Sequence, residues 1–291
     1  MIPAYLYQYT TMDSVLAILE NKTIRFTRLD SLNDLNEGCC GEYAHLKKYV
    51  YISSWSADER ESIPMWSLYG KKDNILDEGV RIKVPTNLFT FDENGNLSNN
   101  LRLEKILDAW NVVTDVETEP IDLSDFSRHL QKKYGENASL FSTKRIVGPV
   151  KVRYLNYRDY INKYTSVLKN GIVEDLSTFF VEEIGFEKID DWMYENEYRF
   201  WMSYPYLKEV CGKENVLKND VPMTNCNFID VQFNEKAIPE MEIKLAPNFS
   251  PNKKESFVEK LKRIGFTKKL QDSDLKMSFK NSEFMPTVSA S

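Results

Sequence analysis

Tyr5 to Thr10 reads as a short strand rich in aromatics, and apolar and polar positions alternate over Ile24 to Thr27 and over Gly79 to Val84, the two-residue period of half-buried strands. Between the first two runs, Val15, Leu16, Ile18 and Leu19 recur at helical spacing. Thr10 and Asp13 stand ahead of them with the spacing of a capping box, Asp taking the Glu slot. The first 27 residues therefore predict strand, helix, strand, with Lys22-Thr23 as the turn. Val50 to Trp55 predicts the next strand, and Ile63 to Leu68 a short helix opening near Pro64. Arg28 to Glu37 reads as a polar loop centred on Asn33-Asp34, and residues 41–49 as a turn or two of helix.

The second half is less regular. Residues 86–100 are rich in turn formers, 101–113 have helical spacing, 114–125 are acidic and loop-like, and 126–142 carry a weaker helical pattern. Val150 to Tyr154 reads as a strand, and 157–170 and 172–184 as helices divided by Gly171. Trp192 to Trp201 predicts a strand with Glu195, Glu197 and Arg199 on one face and Tyr194, Asn196, Tyr198 and Phe200 on the other. Phe228 to Phe233 and Met241 to Leu245 predict further strands. Ser250-Pro251 opens a helix whose buried stripe is Phe257, Val258, Leu261 and Ile264, and Gly265 stops it. Leu275 to Phe279 predicts a closing strand, and 281–291 a frayed tail. Strands at both ends with helices in the middle point to an α+β fold over a regular α/β alternation. The expectation is one domain over 1–280 with an insert at about 86–142.

Composition narrows the function. Aromatic residues make up 13% of the 291-residue chain, enough for a large core, a ring-lined cleft, or both. The formal charge of −6 argues against a protein that grips duplex nucleic acid mainly through its phosphates. No apolar run approaches the ~18 residues of a membrane span, and the N-terminus has no signal-peptide pattern. The expected setting is the cytoplasm, away from membranes, with Cys39, Cys40, Cys211 and Cys226 as reduced thiols. Only His45 and His129 are available for imidazole chemistry, and neither sits in a motif. No dinucleotide-binding glycine fingerprint, phosphate loop or zinc spacing occurs. Carboxylates, tyrosines and amides are left to carry the chemistry.

Four segments hold such groups. Glu195 and Glu197 share a strand face about 7 Å apart, where burial makes each raise the other's pKa, and Arg199 one step on can hold one of them ionised. A fixed carboxylate suits a sugar hydroxyl or a developing positive charge; the same spacing also fits a solvated, charge-laced strand. Trp66 and Tyr69 share a helix side in Met65-Trp66-Ser67-Leu68-Tyr69-Gly70, which suits stacking on a planar ligand or plain core packing. Gln8 and Thr10 point the same way and can hydrogen-bond a carboxamide or ribose, or belong to an ordinary first strand. Asn33-Asp34-Leu35-Asn36-Glu37 caps a cleft or shapes a turn.

Taken in order, Leu6 to Thr10 with Ile18-Leu19, Ile24 to Phe26, Asn33-Asp34 with Glu37, Ile52 to Ser56, Met65 to Gly70, Gly79 to Ile82 and Trp192 to Arg199 resemble a bacterial family known as domain of unknown function 2971. The resemblance spans nearly the whole chain, apart from Leu35-Asn36, where Pro and an aromatic are usual, and the insert. The opening is also similar to ADP-ribosyltransferases of the diphtheria-toxin and poly-ADP-ribose polymerase type, whose first strand carries His, a small residue and Ser. Those fall on Gln8, Tyr9 and Thr10. This similarity implies sheets around a cleft and NAD as substrate, with no metal. It implies Glu197 as the catalytic carboxylate, Glu195 as the first of a glutamate pair, and Tyr69 with a first-strand aromatic around nicotinamide. Gln8, Tyr9, Thr10, Arg25, Ser54, Trp66 and Tyr69 become the expected NAD contacts. The implied reaction transfers ADP-ribose to a macromolecule or to water, in a toxin or phage-defence setting by analogy. Gln in place of His and a bulky Tyr9 fit a non-catalytic nucleotide- or protein-binding module as the alternative. A third reading places a divalent ion among Asp34, Glu37 and Glu197 for hydrolysis.

Overall fold

The computed structural model describes residues 2–34, 37–38, 47–48, 50–71, 77–89, 138–141, 146–160, 184–203, 206–211, 214–216 and 227–275. Strand β1 (Tyr5–Thr11) leads into α1 (Met12–Asn21) and β2 (Thr23–Arg28). Then come β3 (Val50–Ser56), α2 (Ile63–Tyr69), β4 (Gly79–Pro85), β5 (Ala138–Phe141), β6 (Val147–Lys151), β7 (Arg153–Leu155) and β8 (Glu187–Ile189). The chain continues through β9 (Glu197–Ser203), β10 (Tyr206–Cys211), β11 (Glu214–Val216), β12 (Phe228–Gln232), β13 (Glu242–Leu245) and α3 (Pro251–Arg263). The architecture is α+β, as expected. It is built on an eight-stranded antiparallel sheet beside a three-stranded one (β11-β10-β5) and a parallel pair (β7-β8).

The large sheet is forked, and β3 is the stem. One edge of β3 pairs with β9 along its whole length, from Val50 opposite Ser203 to Ser56 opposite Glu197. The other edge meets β2 at Tyr51 and Ile52 and meets β1 only at Ser56 opposite Tyr7. Beyond the fork, β1 continues into β4 and β13 while β2 continues into β12. Helix α1 joins the two branches. Its N-cap is Thr11, whose hydroxyl accepts from the Ser14 N–H; this moves the expected cap at Thr10 by one residue, because the strand runs one residue further. Lys22 ends the helix in the left-handed region, at φ 55°.

The core lies between the sheet and helices α1 and α3. Leu6, Phe26, Trp55, Ile82, Phe200 and Phe257 are all at most 2% exposed, each from a different element. Leu88 and Phe89 join it, so the core reaches into the segment expected to begin the insert. In α3, Phe257 and Leu261 are buried and Gly265 follows at φ 84°, as the stripe predicted; the Ser250 hydroxyl makes no capping bond.

Other expectations change. Residues 138–141 form a strand where a weak helix was expected. The strand expected over 150–154 is two strands, β6 and β7, interrupted at Val152. Leu275 lies in a turn, and Gln271 instead makes an isolated parallel bridge to Lys244. The predicted elements at 41–46, 90–137, 161–183 and 276–291 lie outside the described residues. No helix among the described residues is long and apolar enough to cross a membrane.

Candidate active site in the fork of the sheet

Where β1 and β2 diverge from β3, the sheet leaves a cavity of about 550 Å³. That lies within the roughly 300–1,000 Å³ common for small-molecule sites. The strand edges and α1 form its walls. Because β3 has no strand partner at residues 53–55 on this side, the Ser54 carbonyl is free to accept from the Gln8 amide, Nε2 to O 3.1 Å. Gln8 therefore ties the β1 branch to the stem at the point of the fork.

The chemistry gathers at one end. Glu197 opens β9, and Glu195 lies two residues earlier, not on the strand as predicted but at the end of a 3-10 turn, Asp190–Glu195. Asn196 turns the chain between them at φ 42°, a region Asn tolerates better than most residues. Its Nδ2 donates to Asp58 at 2.8 Å and its carbonyl accepts from the Ala57 N–H at 3.0 Å, which fixes the turn. Both glutamates line the cavity and both are about 3% exposed.

Five charges meet here. The Arg199 guanidinium, fully buried, holds Glu197 with two bonds, Nε to Oε1 at 2.6 Å and Nη2 to Oε2 at 2.9 Å. It also donates to Glu37 and to the Gly185 carbonyl. The Lys188 ammonium lies 2.6 Å from Glu195 Oε2, 3.1 Å from Glu197 Oε2 and 3.9 Å from Glu37 Oε2. The Tyr69 hydroxyl donates to Glu195 Oε1 at 2.5 Å and accepts from Asn33 Nδ2 at 2.9 Å. Three carboxylates thus face two cations, an excess of one negative charge when all are ionised.

Burial and pairing sort the glutamates. Burial works to raise the Glu197 pKa, but Arg199, Lys188 and a Ser54 hydrogen bond outweigh it and bring it down to about 2. Burial dominates at Glu195 and Glu37, and both rise above the ordinary carboxylate range despite their cations. Tyr69 is held in its phenol form by burial and by the Glu195 charge. Burial works to lower the Lys188 pKa, but Glu197 and Glu37 push it up instead. Opposed shifts in adjacent carboxylates are a common mark of acid–base and electrostatic sites.

Of the residues expected to contact a ligand, Gln8, Tyr9, Thr10, Arg25, Ser54 and Tyr69 line the cavity. Tyr9 does so with its ring committed elsewhere: its hydroxyl accepts from the Ser62 N–H at 2.9 Å and its ring meets Trp66 edge-on. Arg25 lies on the β2 branch, bidentate to Asp230 (2.9 and 3.0 Å) and stacked over Phe228. Trp66 is a correction. It is fully buried beneath α2 with Tyr9, Met65 and Ala246, its Nε1 donating to Glu61, and it does not face the cavity. The metal reading also changes. Glu37 and Glu197 do come together, but across Arg199, and no cluster suited to holding a metal occurs among the described residues.

Lys188 is the principal residue that sequence reasoning misses. Glu187-Lys188-Ile189 is too short to show a period, and its only signal is the demand for cations that buried carboxylates create. The segment 184–188 closes over the Arg199 face of β9: Gly185 accepts from Arg199, and Ile184 accepts from Trp201 Nε1 at 2.8 Å. No family model, curated protein or solved structure matches this chain.

Proposed function

We propose that the protein is an ADP-ribosyltransferase-like enzyme that cleaves the nicotinamide–ribose bond of NAD and passes ADP-ribose to a macromolecule or to water. The observation that carries this reading is that Gln8, Tyr69, Glu195 and Glu197, drawn from three distant segments of the chain, line one cavity at the fork of the sheet. Nicotinamide lies against Tyr69, with Glu197 beside the ribose. As the glycosidic bond breaks, its electron pair leaves with neutral nicotinamide and positive charge develops at C1′. A carboxylate already ionised and fixed by Arg199 stabilises that charge without reorganising. The acceptor's nucleophile bonds to C1′ and gives up its proton. Glu195, whose pKa burial raises, is suited to take it.

The test is incubation of the purified protein with NAD and chromatographic detection of nicotinamide. Release is expected, and Glu197→Gln lowers its rate on the order of a hundredfold or more. No release, or release indifferent to Glu197, removes the reading.

One observation favours a second reading, a nucleotide-binding module without turnover. Gln8 stands where the resembled enzymes have His, and its amide is already bonded to Ser54. In that case NAD raises the unfolding temperature and no nicotinamide appears.

A further inference from the structure

Lys188 enters the floor of the cavity from β8, a strand that lies outside the forked sheet. Its side chain is 4% exposed, and its Nζ also lies 4.8 Å from the centre of the Trp192 ring. The groups around it come from every side. Glu195 ends the 3-10 turn, Glu197 and Arg199 are on β9, and Glu37 comes from the loop after β2. The hydroxyl of Tyr69 on α2 faces Glu195, that of Tyr154 on β7 accepts from the Glu197 N–H, and Tyr194 lies within electrostatic reach of Glu195. Arg199 already serves Glu197 and Glu37 but makes no bond to Glu195. Glu195 accepts from a neutral phenol on one oxygen and from Lys188 on the other. Lys188 is therefore the sole cation bonded to Glu195 among the described residues, and it also touches Glu197.

We infer that Lys188 is a positioning residue of this site: its ammonium clamps the two carboxylates toward one cavity and favours the ionised form of Glu195 beside Glu197. Without it, Glu195 faces the Glu197 charge with only a phenol to stabilise it and takes up a proton more readily. The step from there to turnover rests on the NAD reading above; the clamp itself does not.

The experiment follows glutamate carboxyl signals by NMR against pH in protein carrying 13C-labelled glutamate, with Glu195 assigned by the loss of its signal in Glu195→Gln. In Lys188→Met the Glu195 midpoint is expected to move up by about one to three pH units relative to the wild type, the usual reach of a nearby opposite charge. Lys188→Arg, which keeps the charge, restores most of that shift. A displacement under about one unit in Lys188→Met overturns the inference. If Lys188→Met fails to fold, the wild-type chain decides. The Lys188 ammonium protons, identified by their loss in Lys188→Arg, must exchange with water far more slowly at neutral pH than those of exposed lysines. Exchange as fast as theirs overturns the inference. Where NAD is cleaved, the acid limb of the kcat profile in Lys188→Met moves up with the Glu195 midpoint while KM changes little. A wild type that cleaves no NAD at any pH ends the transferase reading, and the carboxyl titration still judges Lys188.

Discussion

Two buried carboxylate centres in this molecule are built differently. Glu61, on the far side of α2, has a side chain only 2% exposed and is satisfied from four places: Trp66 Nε1 at 3.1 Å, the Ser273 hydroxyl at 2.6 Å, the Asp274 N–H at 2.7 Å and Lys244 at 3.3 Å. One charge meets a full set of donors, and Glu61 is not on the wall of the cavity. It pins the stretch after α3 to α2. The cluster at the fork puts three carboxylates on two cations, leaves Glu37 Oε2 without a hydrogen bond and exposes two of the three acids to a cavity. The first centre is saturated and closed. The second is in excess and open, at a cost in stability that the surrounding structure must offset.

The largest break in this comparison is expected from Arg199→Leu, which leaves Glu37 and Glu197 buried without their shared guanidinium. We expect a loss of about 3–5 kcal/mol in urea unfolding, as for removal of one partner of a buried ion pair. A loss under about 1 kcal/mol places the cluster among pairs that contribute little to the fold. Glu61→Gln is expected to cost about 1–3 kcal/mol of stability, since its donors lose a charged acceptor, and, where NAD is cleaved, to leave the rate of nicotinamide release within a few-fold. A collapse of that rate at unchanged stability erases the distinction between the two centres. Tyr69→Phe keeps the ring and removes the hydroxyl. Where NAD is cleaved, we expect release to slow on the order of tenfold to a hundredfold, and stability in urea unfolding to fall by about 1.5–3 kcal/mol, the value of one hydrogen bond to a charged group.

The smallest effect is in pH dependence. The Glu197 pKa is depressed to about 2, so its contribution to stability is present above the ordinary glutamate range and is lost as pH falls through that range toward 2. Glu195 and Glu37 are raised, so each favours the folded state below the ordinary range and loses that contribution as pH rises through its folded value. Unfolding free energy of the wild type should therefore gain more between pH 7 and about pH 4, the ordinary glutamate range, than that of Glu195→Gln, which lacks one of the raised acids. Equal gains in paired urea titrations at the two pH values contradict the raised Glu195 pKa.

Much of the frame was legible residue by residue. The aromatic run at Tyr5 to Thr10 and the alternations at Ile24 to Thr27 and Gly79 to Val84 became β1, β2 and β4, and the helix expected to open near Pro64 became α2. These elements follow from side-chain period and local capping, which neighbouring residues alone impose. The cap of α1 moved by one because Thr10 and Thr11 are both able to cap, and pairing of Thr11 with Gly79 extended the strand to the second. Trp66 and Tyr69 share a helix side on paper. The seating of α2 on Tyr9 buried the first and left the hydroxyl of the second at the cavity.

Sequence by itself determined many of the local elements and marked Gln8, Tyr69, Glu195 and Glu197 as groups able to do chemistry. It did not determine their charge states. Those depend on Lys188 and on the Arg199–Glu37 contact, which joins residues 162 positions apart. Asn196 likewise fits a strand or a left-handed turn, and Asp58 and Ala57 across the fold chose the turn. Short-range periodicity encodes which face of an element is apolar. It carries no information about which distant charges share a low-dielectric interior, and only the packing of β8 and its flanking segment over β9 decided that.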